Sequence, residues 1–352
     1  METDLEAVWG VPLTAARCLR CGAAHLLPGG AIPPLCPACL QGTVEPQPAY
    51  LRDEPPEQVL PYRLSERQLA GALDEWARGV WFRPAELKGS VLAARLRRVL
   101  LPLWLVDGLV EGTWRADVGF DYQVVSSQDA YRDGSGWSSQ EVRETRVRWE
   151  PRAGRIHRRY ENLAVPALDG HRALMARLGD FDLGQRAAYT PEAVQGGAVR
   201  IPDREPEAAW PDAQASFVRA AQEDCRQAAG AEHIRDFALQ AEYRERQWTQ
   251  MLLPTYVTWY CEGEQAWPVL INGQSGRISG TRRASPRQAG VLALLLGGLA
   301  LLLLLPGGLL ALAGAVFPPL AVLGGLLLIV GAVLALLAPL PVIGVWVHNR
   351  RR

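Results

Sequence analysis

The longest apolar stretch of the chain lies near its C-terminal end. No Asp, Glu, Lys, Arg or His occurs from Gln288 to Val347. A membrane-spanning helix needs roughly 20 apolar residues, so this stretch has room for two spans and a turn, or for three spans of minimal length. The breakers Pro306-Gly307-Gly308 and Pro318-Pro319 favour two helices and a turn. We therefore predict a transmembrane hairpin over 288–347. A buried hairpin of a soluble protein is disfavoured because the stretch has no polar face.

Arginine residues flank this apolar stretch on both sides. Four precede it and three follow it: Arg277, Arg282, Arg283, Arg287, Arg350, Arg351 and Arg352. Cytoplasmic flanks of membrane-spanning helices carry an excess of Lys and Arg, so both ends of the hairpin are expected in the cytoplasm. Residues 1–16 have no apolar core, which is atypical of a signal peptide. We expect a multi-pass protein of the cell inner (cytoplasmic) membrane with both termini cytoplasmic.

Upstream of the hairpin, two segments have the hydrophobic period of a helix. Ser65 and Gln68 match a capping box. The apolar residues that follow recur at spacings of three and four: Leu69, Leu73, Trp76 and Val80. This pattern predicts a helix over 65–78, and a second apolar face predicts another helix over 211–229.

Elsewhere the pattern alternates between apolar and polar residues, which predicts strands. The predicted strands are 100–122, 141–149, 155–165, 233–248, 252–261 and 265–271. Residues Ser126–Ser139 are expected to be a loop, and 151–154 a turn that makes an arginine-rich hairpin of Arg143–Arg159. Residues 168–206 are expected to be short helical turns and loops. Strands grouped around segregated helices indicate an α+β body with antiparallel strands over 62–281.

Four of the six cysteines fall into two C-x-x-C motifs near the N-terminus. They are Cys18 and Cys21, followed by Cys36 and Cys39. Each such turn directs two thiolates at one point, so the two motifs predict a structural Zn²⁺ site with all four positions filled by protein. Two disulfides are the alternative, disfavoured in a reducing cytoplasm, and a redox pair would need a strand-to-helix setting. We expect a zinc ribbon over 1–44.

Other residues near this ribbon are interpreted as structural. His25 lies between the two motifs and is expected to be a solvated loop residue rather than a ligand. Cys225 and Cys261 belong to no motif and are expected to be small buried residues. Residues 45–61 are rich in Pro and charge, which is typical of a linker. The ribbon is therefore expected to be a separate mobile module.

The charge balance bears on the kind of partner. The formal net charge is zero, with 37 basic and 37 acidic residues. Six basic residues lie at or after Arg282, where no acidic residue occurs, so the preceding part holds 31 basic against 37 acidic residues. This mild excess of acid argues against a surface for nucleic-acid phosphates. Lys88 is the only lysine and lies outside any P-loop motif, which excludes a P-loop ATPase or helicase.

No arrangement of residues typical of a known catalytic site occurs in the sequence. The chain lacks H-E-x-x-H, G-x-S-x-G and G-x-G-x-x-G, and its five histidines are scattered. Asp180 and Asp182 are expected to be solvated. The strand aromatics are expected to form sheet core, with a ligand cleft as the alternative. The arginines of 143–159 predict either a salt-bridged strand face or a contact surface for an acidic partner or anionic lipid headgroups. We expect no enzymatic activity.

Several short motifs, taken in order, resemble one bacterial family. They are the paired C-x-x-C motifs, Pro61-Tyr62-Arg63-Leu64-Ser65, Trp76 followed by Trp81-Phe82-Arg83-Pro84, Leu101-Pro102-Leu103-Trp104, Trp149 with Gly154 and Tyr160-Glu161-Asn162-Leu163, Asn272-Gly273-Gln274-Ser275-Gly276, and the apolar C-terminal pair. Over nearly its whole length the chain resembles the bacterial TFIIB-type zinc-ribbon membrane proteins, often labelled primosomal N′ or helicase-like. The resemblance implies four zinc ligands, no catalytic residues, and a setting beside PspA-like and SPFH-domain proteins in membrane stress. One departure is that Leu40-Gln41 precede the glycine that usually follows the second motif directly.

These observations predict a membrane-anchored cytoplasmic adaptor or scaffold that binds a protein partner at the membrane face. The resemblance suggests a PspA-like or SPFH-type partner, and membrane lipid is the other expected contact. A nucleic-acid-binding zinc-ribbon protein of replication or repair is one alternative. It is disfavoured because residues 1–48 hold only Arg17 and Arg20 against four acidic residues. A membrane-bound enzyme of unrecognised type is the other alternative.

Overall fold

The structure, a computed structural model, describes residues 5–29, 32–33, 35–47, 54–132 and 136–350. Its helices are α1 (Leu5–Trp9), α2 (Glu66–Arg78), α3 (Gly89–Ala94), α4 (His171–Leu178), α5 (Pro206–Ala228), α6 (Pro286–Ala313), α7 (Pro318–Leu337) and α8 (Leu340–Arg350). Its strands are β1 (Leu13–Cys18), β2 (Ala24–Pro28), β3 (Val44–Pro46), β4 (Gln58–Val59), β5 (Arg97–Arg132), β6 (Gly136–Pro166), β7 (Ala187–Ala188), β8 (Gly197–Arg200), β9 (His233–Glu262), β10 (Gln265–Asn272) and β11 (Ile278–Gly280). The predicted mixed α+β class is confirmed.

All eleven described strands belong to one sheet. Its main path is β11-β10-β9-β5-β8-β2-β1-β3, while β6 pairs with β5, and β4 pairs with both β7 and β9. The pairs β5–β8 and β4–β9 are parallel, and the others are antiparallel. The sheet is therefore mostly antiparallel, and it connects the cysteine motifs at one side with the strand that leads into the apolar helices at the other.

Strand β6 is the main departure from the predicted elements. Residues 151–154, predicted to be a turn, lie inside this continuous strand, with Pro151 opposite Asp117 and Gly154 opposite Trp114. Among the described strands β6 has β5 as its one neighbour, and a strand with one free edge tolerates proline. Gly154 gives room to the indole opposite it, since a Cβ there would lie 3.0 Å from the Trp114 indole nitrogen. The predicted arginine-rich hairpin is thus one strand, and its partner is β5.

Beyond Gly119, β5 and β6 continue as a two-stranded arm. Strand β9 pairs with β5 from Arg97 as far as Gly119. The arm consists of residues 120–132 and 136–148, and in the described part of the chain these pair only with each other. Residues Ser126–Ser139, predicted to be a loop, are therefore mostly strand, apart from 133–135, which lie outside the described residues.

The helices of the body form close to their predicted positions. At the start of α2, the Gln68 N–H donates to Ser65 Oγ (3.4 Å) and the Ser65 N–H donates to Gln68 Oε1 (2.9 Å), which is the predicted capping box. Helix α5 begins at Pro206, earlier than predicted, and buries Phe217 against β5. Gly108 makes room for this ring, since a Cβ there would lie 2.8 Å from it.

The core lies on both faces of the sheet, because alternate residues of β5 point to opposite sides. On one face Trp104 and Val106 pack with Phe217 of α5. On the other face Leu103 and Leu105 join a cluster that includes residues of α4 and of the second cysteine motif region. The Trp104 indole N–H donates to the Arg204 carbonyl at 2.8 Å, so this buried ring has its polar atom satisfied.

Two described helical segments are long and apolar enough to cross a membrane. They are Pro286–Ala313, with 28 residues, and Pro318–Arg350, with 33 residues, which comprises α7 and α8. Helix α6 continues through Pro306-Gly307-Gly308, and the chain reverses before Pro318. The two helices approach closely at small residues: a Cβ on Gly324 would lie 2.4 Å from the Ala311 nitrogen. Close approach at glycine is typical of packed membrane helices.

Both ends of this apolar helical pair bond to each other and to the body. The Ala284 N–H donates to Asn349 Oδ1, and Asn349 Nδ2 donates to the Ala284 carbonyl, each at 2.9 Å. The Ser285 N–H donates to the Phe82 carbonyl at 2.7 Å. We call this set of contacts the junction. It brings the residues before α6 and the end of α8 together at one point of the body.

The ribbon strands β1–β3 are joined to the body through the sheet. His25 and Leu26 of β2 pair with Arg200 and Val199 of β8, which in turn pairs with β5. Of the predicted linker, Gln58–Val59 form β4, and residues 48–53 lie outside the described residues. This arrangement differs from the expected mobile module. An isolated three-stranded ribbon has a free edge at β2, and in this structure β8 satisfies its backbone groups.

Candidate metal centre

The four cysteines of the two motifs are brought to one point. Their Sγ atoms all lie within 4.8 Å of one another, with Cys18–Cys39 and Cys21–Cys36 each at 3.8 Å. Four sulfurs bound tetrahedrally at about 2.3 Å from a zinc ion would be separated by about 3.8 Å. None of the six cysteines, all of which are described, forms a disulfide. The group could therefore hold a metal ion.

The two motifs form equivalent turns. The Arg20 N–H donates to Cys18 Sγ at 3.4 Å, and the Ala38 N–H donates to Cys36 Sγ at 3.3 Å. Backbone donors directed at sulfur stabilise a thiolate. One residue after each motif, the N–H of Gly22 or Leu40 donates to the carbonyl of the first cysteine, at 3.0 and 2.9 Å.

Leu40 follows the second motif at the position that Gly22 has after the first. It has φ 54°, close to the φ of 72° at Gly22, a region that costs a leucine free energy. In return its side chain is only 2% exposed and packs into the body cluster that contains Leu101 and Leu253. The unfavourable backbone conformation of Leu40 is thus offset by the burial of its side chain between the ribbon and the body. The nearby Gly42 is required for a different reason, since a Cβ there would lie 2.5 Å from Cys18 Sγ.

The surroundings of the thiols shift their pKa values in opposite directions. Burial raises the pKa of the Cys36 thiol well above its ordinary value, although backbone N–H groups of Cys39 and Ala38 oppose the shift. At Cys18 burial acts in the same direction but is outweighed by N–H groups of Cys21 and Arg20, so the pKa falls to about 7. Metal binding removes the thiol protons, so a metal ion would supply the charge that stabilises a buried Cys36 thiolate.

His25 is placed differently from its prediction. It lies in β2, is fully buried, and has its Nε2 3.7 Å from Cys36 Sγ. Burial, together with the charge of Arg200, lowers the pKa of His25 to about 3, so the imidazole is neutral at physiological pH. If the four cysteines hold a metal ion, this contact would orient the Cys36 sulfur. The apolar residues on both sides of it, Ala24 and Leu26-Leu27, were the available signal that this segment is a strand rather than a loop.

The other candidate residues do not gather into a site within the described chain. Cys225 is buried, as predicted, whereas Cys261 is only partly buried and its N–H donates to Glu86. The Asp182 side chain accepts from the Gly184 N–H and caps a short helical turn. His157 and His233 each pair with one carboxylate, on exposed strands. The four cysteines are therefore the one candidate metal group found in the described residues.

The fold and this group together define a mixed α+β protein with four clustered cysteines near its N-terminus and two apolar C-terminal helices that could span a membrane. Comparisons of the chain with protein-family models, with curated proteins and with solved structures return no match.

Proposed function

We propose that Cys18, Cys21, Cys36 and Cys39 bind one structural Zn²⁺. Four thiolates in a tetrahedral arrangement favour zinc among the common divalent ions, because Mg²⁺ and Ca²⁺ prefer oxygen ligands. Sulfur spacings of 3.8 Å match the size of a Zn²⁺ site. All four positions are supplied by protein, so the ion has a structural role and no position for a reacting water.

We further propose that α6 and the α7–α8 segment cross the inner membrane as a two-span hairpin, with both flanks in the cytoplasm. The junction supports an even number of spans, because Ala284 and Asn349 meet at one point of the body. Trp81 lies in the loop next to the junction and is 86% exposed, and Trp346 of α8 is 58% exposed. Exposed tryptophans beside flanking arginines are typical of the membrane interface, where they contact lipid headgroups.

The protein would then act as a membrane-anchored adaptor rather than an enzyme. The observation that carries this proposal is the junction, which fixes a large body to a small membrane anchor. The arm extends from this body. In the described part of the arm β5 and β6 pair only with each other, so the outer edge of each strand is unpaired and available to a protein partner. The sequence resemblance suggests a PspA-like or SPFH-type protein as that partner.

The charges of β6 indicate where an acidic partner would bind. Most of its arginines are already paired: Arg146 with Glu144, Arg148 and Arg152 with Glu150, Arg158 with Asp224, and Arg159 with Glu245. Arg143 and Arg155 are exposed and have no ion pair in the described part of the chain. Paired charges contribute little to binding a new partner. Arg143 and Arg155 are therefore the proposed contact residues.

Affinity capture from solubilised membranes tests this function. The wild-type chain should capture a membrane-associated protein, and the double variant Arg143→Glu, Arg155→Glu should capture at least tenfold less of it while staying in the membrane. Arg172→Glu, a reversal of an exposed arginine on α4, is the matched control and should capture normally. Removal of residues from Gln288 onward should release both the body and its partner into the soluble fraction.

Two results would contradict the proposal. Capture of no membrane-associated protein, together with DNA binding by the soluble body that weakens steeply with salt, would favour the nucleic-acid alternative.

Cysteine tags placed before Gln288 and after Arg352 should both be shielded from a membrane-impermeant reagent in intact cells. Labelling of one tag alone would mean an odd number of spans and would exclude the hairpin.

A further inference from the structure

An open groove lies along α8 where this helix meets the body. Its volume is about 520 Å³, within the range of small-molecule sites. The apolar residues that line it are Pro286 at the start of α6 and Val342, Val345 and Trp346 of α8. The groove therefore starts at the junction and continues along a helix that we propose to lie in the membrane.

Two arginines line the body end of this groove. Arg283 precedes α6, and Arg350 ends α8. The Arg283 guanidinium donates to the Asn349 carbonyl at 2.8 Å and lies over the Trp267 ring, with its Cζ 4.4 Å from the ring centroid. Arg350 lies over the Trp346 ring in the same way, at 4.7 Å. Both positive charges are thus held in place by aromatic rings.

No carboxylate among the described residues offsets these two charges. The other polar residue of the groove is Asn349, whose side-chain amide already bonds to Ala284. No acidic residue occurs in the sequence after Glu264. Neither arginine has an ion pair in the part of the chain that the structure describes. Two positioned guanidinium groups without a counter-charge favour an anion, and phosphate above all.

A second groove, on the other side of α8, lacks these charges. It is similar in volume, about 540 Å³, and apolar residues of the loop 79–82, α6 and α8 line most of it. The ionisable residue among those that line it is His348, whose Nε2 lies 3.0 Å from the Arg282 carbonyl. An acyl chain fits either groove by polarity, but only the first also offers two arginines to a negatively charged headgroup.

We propose that the groove at Arg283 and Arg350 binds an anionic phospholipid of the membrane leaflet next to the body. The two guanidinium groups donate hydrogen bonds to the phosphate, and an acyl chain lies along Val342 and Trp346. The lipid contacts residues at both ends of the apolar helical pair, so its binding stabilises the junction by mass action. This inference rests on the proposed membrane hairpin and names the lipid class that the hairpin recognises.

Native mass spectrometry of the full-length chain in detergent tests the site with two lipids. Dioleoylphosphatidylglycerol is anionic, whereas dioleoylphosphatidylcholine has the same acyl chains and no net charge. We expect the anionic lipid to bind at least about tenfold more tightly, and Arg283→Gln or Arg350→Gln to weaken its binding about fivefold each, the effect of one exposed charge pair. Val342→Trp, which fills the groove, should weaken the binding of both lipids.

Two control variants match these changes. Arg287→Gln removes a positive charge from the same flank, at an exposed position that does not line the groove. Leu340→Trp places the same ring in the second groove. Both variants should keep the wild-type preference for the anionic lipid. If Arg283→Gln fails to fold, Arg350→Gln still decides, because the Arg350 side chain makes no hydrogen bond within the described chain.

Several results would overturn the proposal. Equal affinity for the two lipids would do so, and so would equal losses in Arg350→Gln and Arg287→Gln, since the preference would then follow net charge alone. Displacement of the lipid by millimolar inorganic phosphate would assign the two arginines to a free phosphate. A dimer that Val342→Trp abolishes would assign the groove to a second copy of the chain.

The number of spans is measured independently, by the cysteine labelling described above. Labelling of one tag alone, with the lipid preference and its loss in Arg350→Gln intact, would refute the hairpin topology and leave the lipid site standing. Labelling of neither tag, with equal binding of the two lipids, would refute the lipid site and leave the hairpin standing.

Discussion

The two ends of strand β5 differ in how many neighbours they have. At its start β5 lies between β9 and β8, with the ribbon beyond, and residues 99–106 are all buried. In the arm the same strand pairs with β6 alone, and residues 121–127 include no buried side chain. The sequence follows this difference: residues 99–106 are all apolar, whereas 121–127 mix polar residues with Tyr122, Val124 and Val125.

This contrast shows which parts of the molecule carry stability and which are free for partners. The ribbon end shares its core with the body through Leu40 and the β2–β8 pairing. The arm contributes no described side chain to that core. Substitutions at the ribbon end should therefore be costly to the whole body, and changes in the arm should not.

The largest effect is expected for Cys36→Ser. Loss of one thiolate should remove the metal ion and unfold the ribbon, because free energy of metal binding is free energy of folding in such sites. The body should lose at least the ~2–5 kcal/mol that removal of the buried Leu40 side chain alone would cost, because β2 is lost as well. Metal analysis and denaturant unfolding in detergent measure both effects. Cys261→Ser, outside the cysteine group, should keep the metal; an intact body in Cys36→Ser would restore the mobile-module interpretation.

Leu40→Ala tests the contact between ribbon and body without touching a metal ligand. Removing a buried leucine side chain should lower the free energy of unfolding by about 2–5 kcal/mol. Leu19→Ala is the matched control, because Leu19 lies in the first cysteine turn and is 59% exposed. Its effect should stay within about 0.5 kcal/mol. Equal effects of the two substitutions would mean that the ribbon does not share the core of the body.

The clustering of the four cysteines and the two long apolar helices were predictable from sequence because their signals are local. Each C-x-x-C turn brings its own two sulfurs together without help from the rest of the chain. The apolar run 288–347 is too long and too uniformly apolar for most structures other than long apolar helices. The continuous β6 was not predictable, since Pro151 and Gly154 match a turn until Trp114 is known to lie opposite Gly154. The burial of His25 depends on its pairing with Arg200, far away in the chain. Such pairing is decided by tertiary contacts, which a local pattern does not contain.

A smaller effect, dependent on pH, is expected at Glu86, in the turn before α3. Hydrogen bonds from Arg95, then from the Cys261 N–H, lower the pKa of Glu86 to about 2 against the opposing effect of burial. Because the pKa of Glu86 is lower in the folded state than in the unfolded state, the ionised carboxylate stabilises the fold at pH values above about 4.5. This stability is lost as the pH falls from about 4.5 towards about 2.

Glu86→Gln should remove this dependence, at a cost of about 1 kcal/mol at neutral pH, because the side chain is more than one-third exposed and water screens the pair. Unfolding measured between pH 7 and pH 3 gives the slope. Glu75→Gln, at an exposed position of α2, should leave the slope unchanged. A wild-type slope retained in Glu86→Gln would assign the dependence to another group.

The smallest effect is expected in the arm. Replacing residues 122–146 by an Asn-Gly turn should change the free energy of unfolding by less than about 0.5 kcal/mol, because the described side chains removed have no place in the core. Partner capture, by contrast, should be lost together with Arg143. A large loss of stability on this deletion would show that the arm is part of the folded core.

The most direct test of the coupling between the metal ribbon and the body follows both in one denaturant titration of the full-length chain in detergent. Metal release is read with a chromogenic chelator, and unfolding of the body with tryptophan fluorescence, to which the buried Trp104 contributes. The account predicts coincident transitions, since Leu40 and the β2–β8 pairing tie the ribbon to the core. Release of the metal at clearly lower denaturant, with the fluorescence of the folded body unchanged, would contradict it.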